Sequence, residues 1–279
     1  MKKIFVPTDF SAPSLNAARY ATDLAMFLDA KMVLFHSFQL PLVTGEVGFI
    51  QFPYEEISRD SLELLKKERF KLQKGKAMEL AIDCVVKSGF AGNEIVEESK
   101  AQLADMIVMG ITGRNKAGEI FIGSNSVYVA RHSTIPVLIV PENVSFKKIK
   151  KIAFACDFDH TENSGLIENV KLYQFMFDAE LDIVNVYEEN KTPVLEKAIS
   201  GLSVENSLQH TEHNMFFINN SNPSEGLEDY LEKNKPDLLI TAPKKHNLIE
   251  KIFKENTTKK LAYHANIPLL TLNQIHKTV

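Results

Sequence analysis

With 279 residues, 44% of them hydrophobic and 24% charged, the chain has the composition of a folded globular protein with room for about two domains, and neither a disordered nor a fibrous one. A formal net charge of −4 provides no global basic field to recruit nucleic acid or anionic lipid. No apolar run approaches the ~18 residues of a membrane span, and the basic start Met1-Lys2-Lys3 leads into an apolar run too short for a signal segment, so the expected location is the cytoplasm.

In chain order, residues 4–6 read as a short buried strand ended by Thr8-Asp9. Residues 11–28 read as a helix, because Leu15, Ala18, Thr22, Ala25 and Leu28 recur at three- and four-residue spacing. Pro13 falls in its first turn, where proline is tolerated. A strand over 32–35 is followed by a long loop over 38–57 that carries Pro41, Gly45, Gly48 and Pro53. A charged amphipathic helix is predicted over 57–77, with Gly75-Lys76 inside it, then a strand over 82–86 and a helix over 92–102. Cys84 and Cys156 fall in separate apolar runs without metal-ligand spacing, as expected of core thiols in a reducing compartment.

The stretch 105–140 carries the most information. An apolar strand over 106–109 ends at Gly110, and Gly113 follows. Gly123-Ser124 then opens a helix, and a second buried run over 137–140 closes the stretch behind Pro136. A glycine-rich loop thus leaves the carboxyl end of one strand and returns at the amino end of a helix. That is where parallel α/β sheets bind ligands and where helix-start N–H groups favour an anion. Glycine lets backbone approach a ligand closely, and Ser124 can either cap the helix or offer its hydroxyl to phosphate. The order β-α-β-α-β-α-β-loop-α-β argues for a parallel sheet with helices on both faces.

Residues 142–150 read as a linker. Beyond it come a strand over 149–156, a helix over 163–177, a strand over 181–187 and a short helix over 193–202. A strand over 215–218, a helix over 224–233 and a strand over 238–241 complete this part. The second half repeats the first. A shift of 132 aligns 104–140 with 236–272 without a gap, and Asp105, Asn115, Ile120, Phe121, Ala130, His132, Ile135, Pro136 and Leu138 meet identical residues. Asp9 meets Asp157 at a shift of 148. The copies differ in chemistry, since Gly110, Gly113, Gly123 and Ser124 correspond to Ala242, Lys245, Glu255 and Asn256. Glu255 puts a carboxylate where an anion would sit, so the second loop is expected to have lost its site.

The pattern G-x2-G-x9-G-S before a helix and IPVLIV, together with Ile4-Phe5-Val6-Pro7-Thr8-Asp9-Phe10-Ser11, resembles the universal stress protein family. The resemblance implies two tandem Rossmann-like α/β domains, residues 1–141 and 149–274, each an open parallel five-stranded sheet of order 3-2-1-4-5. It implies that N–H groups at Gly110, Gly113, Gly123, Ser124 and Asn125 hold the phosphates of ATP, with ADP or AMP as alternatives and Mg as an option with the phosphates. Asp9 would contact the ribose, its alternative being an Asx-turn or cap for the following helix, and the backbone of Met32 would border adenine. Arg114 is left open between a phosphate contact and a solvated side chain.

No G-x4-G-K-[ST] loop and no nucleophile–base set is recognisable, and His132 and His264, late in equivalent helices, read as caps for carbonyls. Three classes of function follow: an ATP-binding regulatory or stress-response module, a slow ATP hydrolase or phosphotransferase, or a scaffold for a protein or apolar ligand. The first is the leading expectation, with an adenine nucleotide as partner and neither nucleic acid nor membrane. The final strands of the two halves, 137–140 and 269–272, are short, apolar edges that need cover. They are expected to meet in an intrachain pseudo-dimer, with homodimerisation of the whole chain left open.

Overall fold

The computed structural model describes residues 1–40, 53–76, 80–111, 124–156, 165–188, 194–209, 211–242 and 267–272. Its first half runs β1 (Lys3–Pro7), α1 (Ala12–Leu28), β2 (Lys31–Phe38), α2 (Tyr54–Gln73), β3 (Ile82–Ser88), α3 (Ala91–Ala101), β4 (Met106–Ile111), α4 (Ser124–His132) and β5 (Val137–Pro141). The second half follows with β6 (Lys151–Ala155), α5 (Leu166–Phe177), β7 (Glu180–Tyr187), α6 (Val194–Ser207), β8 (Asn214–Asn219), α7 (Pro223–Asn234), β9 (Leu238–Thr241) and β10 (Leu269–Thr271). The class is α/β, as expected.

Each half keeps the expected five-stranded order 3-2-1-4-5, and the two halves are continuous. The strands form one ten-stranded sheet in the order β3-β2-β1-β4-β5-β10-β9-β6-β7-β8. Every neighbouring pair is parallel except β5 and β10, which run antiparallel, with Ile139, Leu138 and Val137 opposite Leu269, Leu270 and Thr271. Two bare apolar edges would each leave a row of backbone donors and acceptors unpaired. Joining them satisfies both rows at once, and the final strands meet as expected.

Side chains alternate along each strand, so the sheet has two apolar faces. Ile4, Met32, Leu34, Met106, Val108 and Leu138 pack beneath α1, α2 and α5. Phe5, Val33, Phe35, Ile107, Met109 and Ile139 pack on the side of α3, α4 and α7. Helix α1 is tied to the chain beyond β5 by Asn16, whose Nδ2 donates to the carbonyls of Pro141 and Val144 at 3.0 and 2.9 Å. Both α1 and α5 stop at an aspartate in left-handed backbone, Asp29 (φ 50°) and Asp178 (φ 52°). Asp and Asn tolerate that region better than most side chains. The repeat read from the sequence thus extends to the helix stops.

Several boundaries moved. Strand β2 continues through His36 and Ser37 to Phe38, because both polar residues keep pairing with β3 opposite Val86 and Lys87. Strand β4 continues through Gly110 to Ile111, opposite Val140 and Pro141. Helix α2 ends at Gln73, so Gly75 lies beyond it with φ +76° and not inside a helix. No helix among the described residues is long and apolar enough to cross a membrane.

Candidate functional site

Strands β1 and β4 are sheet neighbours although they are not consecutive in the chain, and their carboxyl ends open a crevice. A cavity of about 170 Å³ lies there. Pro7, Thr8 and Asp9 line it at the end of β1, Phe35, His36 and Ser37 in β2, Met109 and Gly110 in β4, and Asn125 and Ser126 at the start of α4. Ile95 of α3 and Ser14 of α1 close its sides. Apolar walls from Phe35, Ile95 and Met109 therefore face a rim of hydroxyls, an amide, an imidazole and one carboxylate.

A chain of short-range hydrogen bonds shapes the rim. The Thr8 hydroxyl, buried, pairs with the Ser14 hydroxyl at 3.0 Å and accepts the Phe10 N–H at 3.0 Å. Phe10 sits in left-handed backbone (φ 63°), unusual for an aromatic residue, and its ring lies 4.8 Å from that of His36. His36 Nδ1 lies 2.8 Å from the Thr8 carbonyl. A carbonyl only accepts, so Nδ1 carries a proton and Nε2 is the acceptor of the neutral ring.

Asp9 is exposed at the rim. Its Oδ1 accepts the Ser11 N–H at 3.0 Å and the Ser11 hydroxyl at 2.5 Å, which is the Asx-turn named as its alternative role. Partial desolvation pushes the carboxyl up, but hydrogen bonds from the Ser11 and Ser14 side chains and from backbone N–H groups outweigh it and hold the pKa below the ordinary carboxylate value. The group stays ionised at neutral pH and remains an acceptor.

Of the residues singled out in the sequence, Asp9, Gly110 and Asn125 line the cavity. Ser124 opens α4 one residue away and is exposed. Gly113, Gly123 and Arg114 lie outside the described residues, as do Lys245, Glu255, Asn256 and His264 of the second half. Met32 is corrected. It is fully buried near the start of β2, opposite Ile4 and Ile82, and takes no part in the cavity lining. Ser37, five residues and roughly 16 Å further along the strand at ~3.3 Å per residue, is the β2 residue at the rim.

Gly110 also has a packing reason. A Cβ there would lie 2.2 Å from the Pro13 carbonyl oxygen and 2.9 Å from the Ser14 nitrogen. The glycine admits the first turn of α1 against β4, which brings Ser14 to the cavity. Sequence reasoning missed Ser126, Ser14 and His36. Ser126 is buried and donates its hydroxyl to the Gly110 carbonyl at 3.1 Å, fastening the start of α4 to β4. Two serines two residues apart at a helix start, Ser124 and Ser126, were the available signal. His132 does cap, its Nδ1 lying 2.8 Å from the Tyr128 carbonyl.

An adenine nucleotide is the group implied for this site, and the residues present fit it. An apolar wall edged with donors and acceptors suits a purine and a ribose, and the helix start suits phosphate. Among the described residues there is no cluster of three or more His, Cys, Asp or Glu that could hold a metal ion.

Residues 1–141 match the family model described as the universal stress protein family. A universal stress protein of Methanocaldococcus jannaschii is 35% identical over 144 residues, covering 50% of this chain and 81% of that protein. One from Thermus aquaticus is 30% identical over 144 residues, covering 50% of this chain and 98% of that protein. Over the whole length, the crystal structure of a universal stress protein from Archaeoglobus fulgidus superposes with a TM-score of 0.73 at 18% identity, covering 97% of this chain and 98% of that one. At that identity the likeness concerns the fold, and it extends across both halves.

Proposed function

Since the chain belongs to the universal stress protein family, we propose that it is a cytoplasmic nucleotide-dependent regulatory or stress-response module that binds one ATP-class nucleotide per chain. Residues 1–141 form the binding domain in this reading, and residues 149–274 form a second domain of the same fold that has lost the site. The observation that carries the reading is the cavity at the carboxyl ends of β1 and β4, closed by the start of α4. In open α/β sheets this switch point is the place where ligands bind.

The residues divide the work by chemistry. Phe35, Ile95 and Met109 exclude water from the face of the base, and Ser37 and His36 offer it polar contacts from β2. Asp9, ionised and held by Ser11, accepts from a ribose hydroxyl. Asn125 and Ser124, with the loop through Gly113 and Gly123, present N–H groups to the phosphates. Bound ATP would supply a conformational signal.

Titration calorimetry of the full chain with ATP, ADP and AMP tests the reading. One site per chain is expected. No binding of any of the three, or two equivalent sites, overturns it. Asp9→Ala is expected to weaken binding only about three- to tenfold, as for one hydrogen bond to a neutral hydroxyl. A steady release of phosphate with turnover would reassign the protein to the hydrolase class.

A further inference from the structure

We propose that the groove between α1 and α2 is a docking site for an acidic amphipathic segment of a partner protein. The groove encloses about 670 Å³. Phe10, Leu15, Leu64 and Phe70 give it an apolar floor and wall, and Lys66, Lys67 and Lys71 rim it. The inward stripe of α2, Ser61, Leu65, Glu68 and Leu72, is buried against the sheet and already accounts for the helix's share of the core. Leu64 and Phe70 lie off that stripe and remain 48% and 70% exposed. Holding a phenylalanine and a leucine in water beside a concavity costs apolar burial that a partner would recover.

Charge selects the partner. Three lysines border the groove against one carboxylate, Glu68, which is 6% exposed and turned to the interior. Lys66 and Lys71 make i,i+3 pairs with Glu63 and Glu68 at 2.9 Å. The Lys66–Glu63 pair is solvent-exposed and weak, so that ammonium group can turn to an incoming carboxylate, whereas Lys71 stays on the buried Glu68. A segment with apolar residues on one face and acidic residues along its flanks matches both the floor and the rim.

An anionic membrane matches less well, because a plane would also meet Glu55, Glu56 and Asp60, exposed on the amino-terminal half of the same helix. A segment of about three helical turns, ~16 Å, needs only the lysine-bearing half. Phe10 joins the groove to the rim of the cavity, since its N–H is held by Thr8 and its ring lies on His36.

Fluorescence anisotropy with a labelled designed peptide, leucines at helical spacing and glutamates elsewhere, tests the proposal on the full chain. A peptide with lysine in place of glutamate is its control. The acidic peptide is expected to bind and the basic one not. Phe70→Ala, and separately Lys66→Glu with Lys67→Glu, are each expected to weaken binding at least about tenfold. These side chains are exposed, so the variants keep the fold. Equal binding of the two peptides, no binding of the acidic one, or affinity unmoved by the substitutions overturns the proposal. So does co-sedimentation with phosphatidylserine vesicles that those substitutions abolish, which would reassign the surface to lipid.

Discussion

Gly110 shows how a residue singled out for a ligand can also be demanded by packing. The sequence places a glycine at a strand end before a ligand loop, and phosphate approach is the natural inference. In the structure it makes room for the Pro13 carbonyl of α1. Gly110→Ala is therefore expected to destabilise the fold by about 1–3 kcal/mol through overpacking, even with no nucleotide present. A thermal midpoint unchanged without ligand would show that α1 is not seated this way. Met32 lies away from the cavity for a related reason. In an apolar run such as Met-Val-Leu-Phe nothing distinguishes a residue at the cavity mouth from one well below it, and the polar pair His36-Ser37 read as the strand's end when the strand runs on through it along the cavity rim. Asp237, by contrast, was found by the internal repeat alone. Its Oδ2 accepts the N–H groups of Lys150 and Lys151, as the Oδ2 of Asp105 accepts those of Lys2 and Lys3. Desolvation pushes the Asp237 carboxyl up, but Lys147 and the two backbone N–H groups outweigh it and hold the pKa below the ordinary value. With the folded pKa depressed, its contribution to stability is present above about pH 4 and is lost as pH falls through the folded value. Asp237→Asn is expected to flatten the acid limb of stability below about pH 4, measured by urea unfolding across pH. An acid limb that keeps its slope would remove Asp237 from that role.

At the scale of elements, one tie recurs with altered chemistry. In the first half the imidazole of His36 in β2 bonds to the Thr8 carbonyl beyond β1, and in the second the Asn185 amide of β7 donates to the Cys156 carbonyl beyond β6 at 2.9 Å. The strand registers make the two positions equivalent, since Phe35 lies opposite Pro7 and Val184 opposite Ala155. A histidine and an asparagine share no pattern a sequence alignment rewards, so the equivalence becomes visible only once the strands are paired. Asn185 is buried, and Asn185→Ala is expected to cost about 1–3 kcal/mol by chemical denaturation, the range for losing a buried polar partner. A smaller cost than for an exposed asparagine would mean that β6 and β7 are held by their ladder alone. The elements themselves were largely legible from periodicity, and the ends were not, because polar residues that keep pairing look like turns.

For the whole molecule, the decisive pairing is the antiparallel one between β5 and β10 at the centre of the sheet. It was anticipated from two uncharged apolar edges, which no turn or cap in either half could have covered. A chain truncated after residue 266 lacks β10 and presents the β5 edge to solvent. Such a chain is expected to self-associate in size-exclusion chromatography with light scattering, whereas the full chain keeps that edge internal. A truncated chain that stays monomeric would show that the edge needs no partner. The same pairing sets an order in time. Strand β5 leaves the ribosome about 130 residues before β10, so at ~5–20 residues per second the nascent chain waits on the order of 10 s with its middle strand uncovered. Over that interval the β5 edge has no intrachain cover, and the sheet closes only when β10 arrives as one of its two most central strands.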